Sequence, residues 1–130
     1  MKIDRRNALS LLALTGAAPF AITETKAAYT GHVTFDHGVA SGDPLQDRVV
    51  LWTRVTPAAA NSLDIPVEWE AAHDPAFHNI ASHGRTTASA DRDFTVKVDV
   101  EGLKPAQTYF YRFRAGKTDS PVGHTRTLPA

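Results

Sequence analysis

From Tyr29 to its C-terminus the chain never sustains the 3.6-residue apolar period of an amphipathic helix; it alternates instead. Phe94, Val96, Val98 and Val100 are interleaved with Thr95, Lys97 and Asp99. Val67, Trp69 and Ala71 are interleaved with Glu68, Glu70 and Ala72, and Tyr109, Tyr111 and Phe113 with Phe110, Arg112 and Arg114. Side chains on a strand point to opposite faces in turn, so each run describes a strand with one face inward and one face wet. Val49-Val50-Leu51-Trp52 is apolar without alternation, as in a strand central to its sheet. A chain patterned this way cannot build a helical bundle. It must close its inward faces against one another.

The breaks between runs are turn chemistry: Gly42-Asp43-Pro44, the small-residue stretch Pro57 to Ser62, His73-Asp74-Pro75, Ala90-Asp91-Arg92 and Gly116 to Asp119. They divide the chain into about seven strands, near residues 32–40, 47–55, 65–73, 79–87, 92–100, 107–115 and 120–127. That number in about 100 residues is the rhythm of an all-β, immunoglobulin-like or fibronectin type III-like sandwich. Gly102-Leu103-Lys104-Pro105-Ala106-Gln107-Thr108-Tyr109 resembles the loop before the sixth strand of fibronectin type III domains. Leu103 would plug the end of the core and Pro105 set the bend. Tyr109 would bury its ring and bond backbone through its hydroxyl, the tyrosine corner. Trp52 is expected at the sandwich centre, as a second-strand tryptophan.

Residues 1–28 have a different character. Lys2, Arg5 and Arg6 precede an uncharged, largely apolar run from Ala8 to Ala18, and alanines follow at 21, 27 and 28. Basic, apolar, then small is the secretory signal order. The apolar run falls short of the roughly twenty residues of a stable membrane span. A buried amphipathic helix is the weaker reading, because the segment has no polar face and Gly16 and Pro19 interrupt it. Arg5-Arg6 followed by Asn7, Ala8 and Leu9 resembles a twin-arginine export signal, with Asp4 and Ala8 departing from the usual pattern. The expected organisation is therefore a signal peptide over 1–28 and a sandwich over 29–130. Export would place the protein in the periplasm, the cell wall or the medium.

Composition excludes several functions. The 14 basic side chains balance the 14 acidic ones, with no basic cluster of the kind phosphate backbones require, so a nucleic-acid partner is not expected. Residues 1–28 hold four of those bases and two of those acids, leaving the remainder with 10 and 12, slightly acidic. With no cysteine there is no disulfide, thiolate metal site or cysteine nucleophile.

The six histidines, His32, His37, His73, His78, His83 and His124, invite a metal hypothesis. Their short spacings are all five residues, which on a strand puts partners on opposite faces, and no H-x-H or H-x3-H pair occurs. Turn and surface histidines are expected. Asp36-His37 with Ser41 suggests a nucleophile and its base, but four extended residues span roughly 13 Å. Ala40-Ser41-Gly42 is not a G-x-S-x-G elbow. A Gly-rich turn capped by Ser41 and Asp43 is the expected structure. Gly38-Val39-Ala40-Ser41-Gly42 is followed by neither Lys-Ser/Thr nor a helix, so it is no phosphate loop. Arg112, Arg114 and Arg126, joined by Arg54, are expected to line a solvated face or a docking surface.

Taken in order, these segments resemble one family. Phe35-Asp36-His37-Gly38-Val39-Ala40-Ser41-Gly42-Asp43-Pro44, then Asp47-Arg48-Val49-Val50-Leu51-Trp52-Thr53-Arg54-Val55, is similar to the opening of the N-terminal domain of PhoD-like alkaline phosphatases. The similarity continues through Val67 to Ala72, Leu103-Lys104-Pro105, Tyr109 to Phe113 and Ser120 to Thr127, and so covers residues 32–130. The resemblance implies an exported phosphodiesterase and phosphomonoesterase. Its calcium and iron would be held by a metallophosphatase domain C-terminal to the sandwich, through motifs of the kinds G-D, G-N-H-D/E and G-H-x-H. Here Gly42-Asp43 belongs to the sandwich opening, and no Asn-His or His-x-His occurs. No catalytic, cofactor-binding or metal-binding residue is carried over to this chain, and the chain alone is expected to be inactive.

Two functions compete on these grounds. In one, the chain is the accessory N-terminal sandwich of a PhoD-like phosphatase, packing on the catalytic domain and exported by the twin-arginine translocase; an exposed apolar patch should mark the contact. In the other it is an independent exported adhesion or carbohydrate-binding module. A groove with exposed aromatics would then be required, for which Tyr29, Phe77 and Phe110 are the candidates.

Overall fold

The computed structural model describes residues 27–130, so the export-signal reading of residues 1–28 lies almost wholly outside the described residues. The strands are β1 (Val33–Thr34), β2 (Val39–Gly42), β3 (Val49–Arg54), β4 (Thr56–Pro57), β5 (Ile65–Ala72), β6 (Ile80–Ala88), β7 (Thr95–Val100), β8 (Thr108–Ala115), β9 (Thr118–Asp119) and β10 (Gly123–Arg126). A 3-10 turn, Ala90–Arg92, precedes β7. Strands β10-β8-β5-β6 form one sheet, with β9 also on β8; β2-β3-β7 form the other; β1 and β4 pair separately. All these pairings are antiparallel.

Alternation decides which face of each strand is dry. Val49, Leu51 and Thr53 of β3 are buried, opposite Val100, Val98 and Val96 of β7. From the larger sheet, Ile65, Val67 and Ala71 of β5 meet Tyr109, Tyr111, Phe113 and Ala115 of β8 in the same core. Burying a Val, Leu, Ile or Phe side chain contributes about 1.5–3 kcal/mol, so these inward faces supply the main drive to close the sandwich.

The tryptophan at the core is not the expected one. Trp52 lies on the even-numbered, outward side of β3, beside Ala40 and Lys97, and is only half-buried. Its run is apolar on both faces, so pattern alone does not show which face turns in. Trp69 of β5 packs against the core instead, and Gly84 stands opposite it on β6. A Cβ on Gly84 would come within 2.7 Å of the indole, so glycine is what makes room for it.

The expected strand over 32–40 divides into β1 and β2 around a turn at Asp36-His37. Gly38 turns there with φ +70° and donates its amide to the Phe35 carbonyl at 3.0 Å. The fully buried Thr53 hydroxyl donates to the Gly38 carbonyl at 2.8 Å, fixing where β2 begins. Residues 39–42 are therefore strand and not the expected turn.

The tyrosine corner forms. Tyr109 is 1% exposed, and its hydroxyl accepts the Lys104 amide at 2.9 Å. Leu103 is buried beneath it and donates its own amide to the Asp47 carbonyl at 2.9 Å. Near the other end, Tyr29 donates its amide to the Asp64 carbonyl at 2.9 Å, just before β5 begins. Since β5 runs antiparallel to β8, the described chain enters at one end of the sandwich and reaches Leu128 at the other.

Candidate functional site

The sequence-marked residues do not converge. His32, His37, His78, His83 and His124 lie at separate places near the surface, while His73 stacks its ring on Tyr109 with centroids 5.0 Å apart. Among the described residues no group of three or more His, Cys, Asp or Glu side chains could hold a metal ion. Asp36 and His37 sit exposed in the turn before β2. Ser41 faces inward, where its hydroxyl hydrogen-bonds the Tyr111 phenol across the sandwich. Burial pushes the Tyr111 phenol up, and the Ser41 bond opposes that shift. Ser41 thus serves the core and has no histidine relay.

The arginines separate as well. Arg112 and Arg114 of β8 and Arg126 of β10 lie on the outer face of the five-stranded sheet, whereas Arg54 lies on the opposite sheet and donates from Nε to the Asp93 carbonyl at 3.0 Å. The expectation that Arg54 joins the other three fails because β3 belongs to the β2-β3-β7 sheet while β8 and β10 belong to the sheet facing it, so their outer faces point in opposite directions. Arg112 pairs with Glu70 at 3.0 Å and holds its guanidinium 4.1 Å above the Phe77 ring. Arg114 grips Asp119 through two bonds, at 2.5 and 3.2 Å. That grip holds the Asp119 carboxyl below the usual carboxylate range. Arg85 faces Glu68 at 3.9 Å. With Arg85, Arg112 and Arg114 each beside a carboxylate, the described residues of this face present no concentrated positive field for an anion.

The aromatic candidates are spent too. The Phe77 ring is 8% exposed beneath Arg112. Its loop is shaped by Asp74, whose carboxylate accepts the amides of Asn79 at 2.8 Å and His78 at 3.0 Å and is thereby held below its ordinary pKa. Tyr29 folds over Gly31 and donates its hydroxyl to the His32 carbonyl at 3.0 Å. Phe110 is half-buried beside His124. An open groove of about 700 Å³ runs between residues 29–33 and the β8–β9 hairpin, edged by Tyr29, His32, Glu68, Arg85, Arg114 and Lys117. Its charges are of both signs, and Tyr29 is its one Phe, Tyr or Trp ring among the described residues.

What sequence reasoning missed is an apolar pair. Leu45 and Leu128 are 51% and 44% exposed, yet the Leu128 amide donates to the Leu45 carbonyl at 3.0 Å. The sequence signal was slight: each leucine adjoins a proline, Pro44 or Pro129.

Two sheets of three and five strands with a tyrosine corner define a fibronectin type III-like sandwich, without a visible centre of chemistry among the described residues. The sixth fibronectin type III domain of a human fibronectin type III domain containing protein shares this fold, with a TM-score of 0.52 at 14% identity, covering 83% of this chain and 94% of that one. Residues 21–129 match the model of the PhoD-like phosphatase, N-terminal domain, and the chain belongs to that family. It is 46% identical over 101 residues to alkaline phosphatase D of Bacillus subtilis (strain 168), covering 74% of this chain and 17% of the relative. A solved structure of PhoD superposes with a TM-score of 0.73 at 42% identity, covering 80% of this chain and 21% of that one. The chain thus spans about a fifth of the length of alkaline phosphatase D and of the PhoD structure.

Proposed function

We propose that this chain acts as the accessory N-terminal sandwich of an exported PhoD-like phosphatase, packing on a metal-dependent catalytic domain. The observation that carries the reading is the family match over residues 21–129, within relatives of which the chain covers only 17–21%. The described side chains are employed in building the sandwich: Thr53, Ser41, Tyr109 and Thr127 bond other parts of it, and Arg112 and Arg114 of the outer face are paired. The calcium and iron implied by the family resemblance are assigned to the metallophosphatase domain, since the described residues do not converge into a ligand set. Export by the twin-arginine translocase to the periplasm, cell wall or medium belongs to the same proposal and is supported by Arg5-Arg6 and the apolar run behind them. The adhesion or carbohydrate-binding alternative is disfavoured, because Phe77 lies beneath Arg112 and Phe110 is half-buried.

The test is hydrolysis of p-nitrophenyl phosphate by the isolated chain with calcium and iron added. No release above the metal-only rate is expected. Turnover that co-purifies with the chain would place catalysis within these 130 residues and overturn the reading.

A further inference from the structure

Three segments meet where β8 begins and β10 ends: the turn 43–48, the loop 101–107 and residues 127–130. They are laced by backbone. The Leu128 amide donates to the Leu45 carbonyl, and the Leu128 carbonyl accepts the Ala106 amide, both at 3.0 Å. The Ala106 amide is aimed there by a left-handed backbone, φ +55°. The Thr127 hydroxyl donates to the Lys104 carbonyl at 2.6 Å and accepts the Gln107 amide at 3.1 Å. Leu128 is therefore held from both sides, and the chain leaves the sandwich at Pro129 from a fixed point. At that point Leu45 and Leu128 present their side chains to solvent, 51% and 44% exposed.

Single exposed leucines are ordinary, but these two adjoin, sit on an immobilised backbone and flank the exit. Two leucines bury far less than the roughly 1,000 Å² a free partner or a second copy needs to stay bound. A tethered partner differs: a short linker holds it at an effective concentration of the order of millimolar, and a small preorganised contact then suffices. The match to the N-terminal domain runs to residue 129, one past Leu128, so in the relatives the remainder of the protein continues from beside this edge. In the relatives the matching N-terminal domain is the minor part, 17–21% of the length, and most of the protein lies outside it.

We infer that the Leu45–Leu128 edge is the seat on which the metallophosphatase domain docks, at the point where the chain crosses into it. This rests on the accessory-domain reading above. The chain has no cysteine, so single cysteines can report the contact. Leu45→Cys and Leu128→Cys are compared with Leu63→Cys and Ile80→Cys, whose parent side chains are also exposed, at 40% and 37%. Each is made in this chain and in a fusion in which it replaces the matching N-terminal domain of the Bacillus subtilis relative. Phosphate release certifies the fusion's fold, and maleimide labelling is read peptide by peptide by mass spectrometry. Expected is a tenfold or greater slowing at 45 and 128 in the fusion, with 63 and 80 unchanged. Unslowed labelling at 45 and 128, with slowing at 63 or 80, overturns the seat and leaves the accessory reading standing. No slowing at any of the four in an active fusion overturns both.

Discussion

Replacing Tyr109 with Phe isolates one bond of the tyrosine corner. The ring is 1% exposed and keeps its contact with His73, so packing is unchanged. What disappears is the acceptor that takes the Lys104 amide at 2.9 Å. A net intramolecular hydrogen bond contributes about 0.5–1.5 kcal/mol, and a donor left wholly buried would cost more. Lys104 is an exposed residue, so water reaches the freed amide and the expected loss is about 1 kcal/mol. In a domain of about 100 residues that lowers Tm by about 4–5 °C. Thermal unfolding followed by circular dichroism measures it, and a Tm within about 1 °C of the parent would refute the assignment. Thr127→Val completes a cycle, because Thr127 bonds the carbonyl of the same Lys104 whose amide Tyr109 holds. The pair should depart from additivity by about 0.5 kcal/mol or more. Additive losses would mean the two bonds are independent and the loop is not held as a unit.

Gly84→Ala forces a methyl to within 2.7 Å of Trp69 and should destabilise by about 1–3 kcal/mol, seen as a lower urea midpoint; an unchanged midpoint would show that the indole moves freely. The carboxyls of Asp74 and Asp119 are held below the usual value of 3.8, by the Asn79 and His78 amides and by Arg114 respectively. The unfolded chain therefore takes up those protons first, and their stabilisation is present above that value and lost as pH falls through the folded pKa. The stability curves of the parent and of Asp74→Asn/Asp119→Asn should differ at neutral pH and converge as pH falls below the usual carboxylate value; a constant offset would sink the attribution. Arg5→Lys with Arg6→Lys should block export of the full chain, and normal export would remove the twin-arginine reading.

Much of the sandwich was legible because alternation is a local property. Tyr111, Phe113 and Ala115 announce their inward face by Arg112 and Arg114 between them, and the Leu-Pro-Tyr spacing announces the corner. Where the pattern falls silent, register decides. Val49 to Trp52 is apolar on both faces, and only the burial of Leu51 against the opposite sheet settles that Trp52 looks out. Trp69 needs Gly84, fifteen residues away across a hairpin. Arg54 and Arg112 carry no mark of the sheet each belongs to. The Leu45–Leu128 edge was out of reach for the same reason: one backbone bond joins the two leucines across most of the described chain.

Entry beside Asp64 and departure at Leu128 also give the domain a mechanical character. The two points lie at opposite ends, separated by about the eight residues of β8, or roughly 26 Å. Tension applied between them pulls β10 along its own axis. The four residue pairs joining β10 to β8 are then loaded together in shear and do not peel apart one by one. A sandwich strung this way answers tension between those two points as one stiff body and does not lengthen strand by strand.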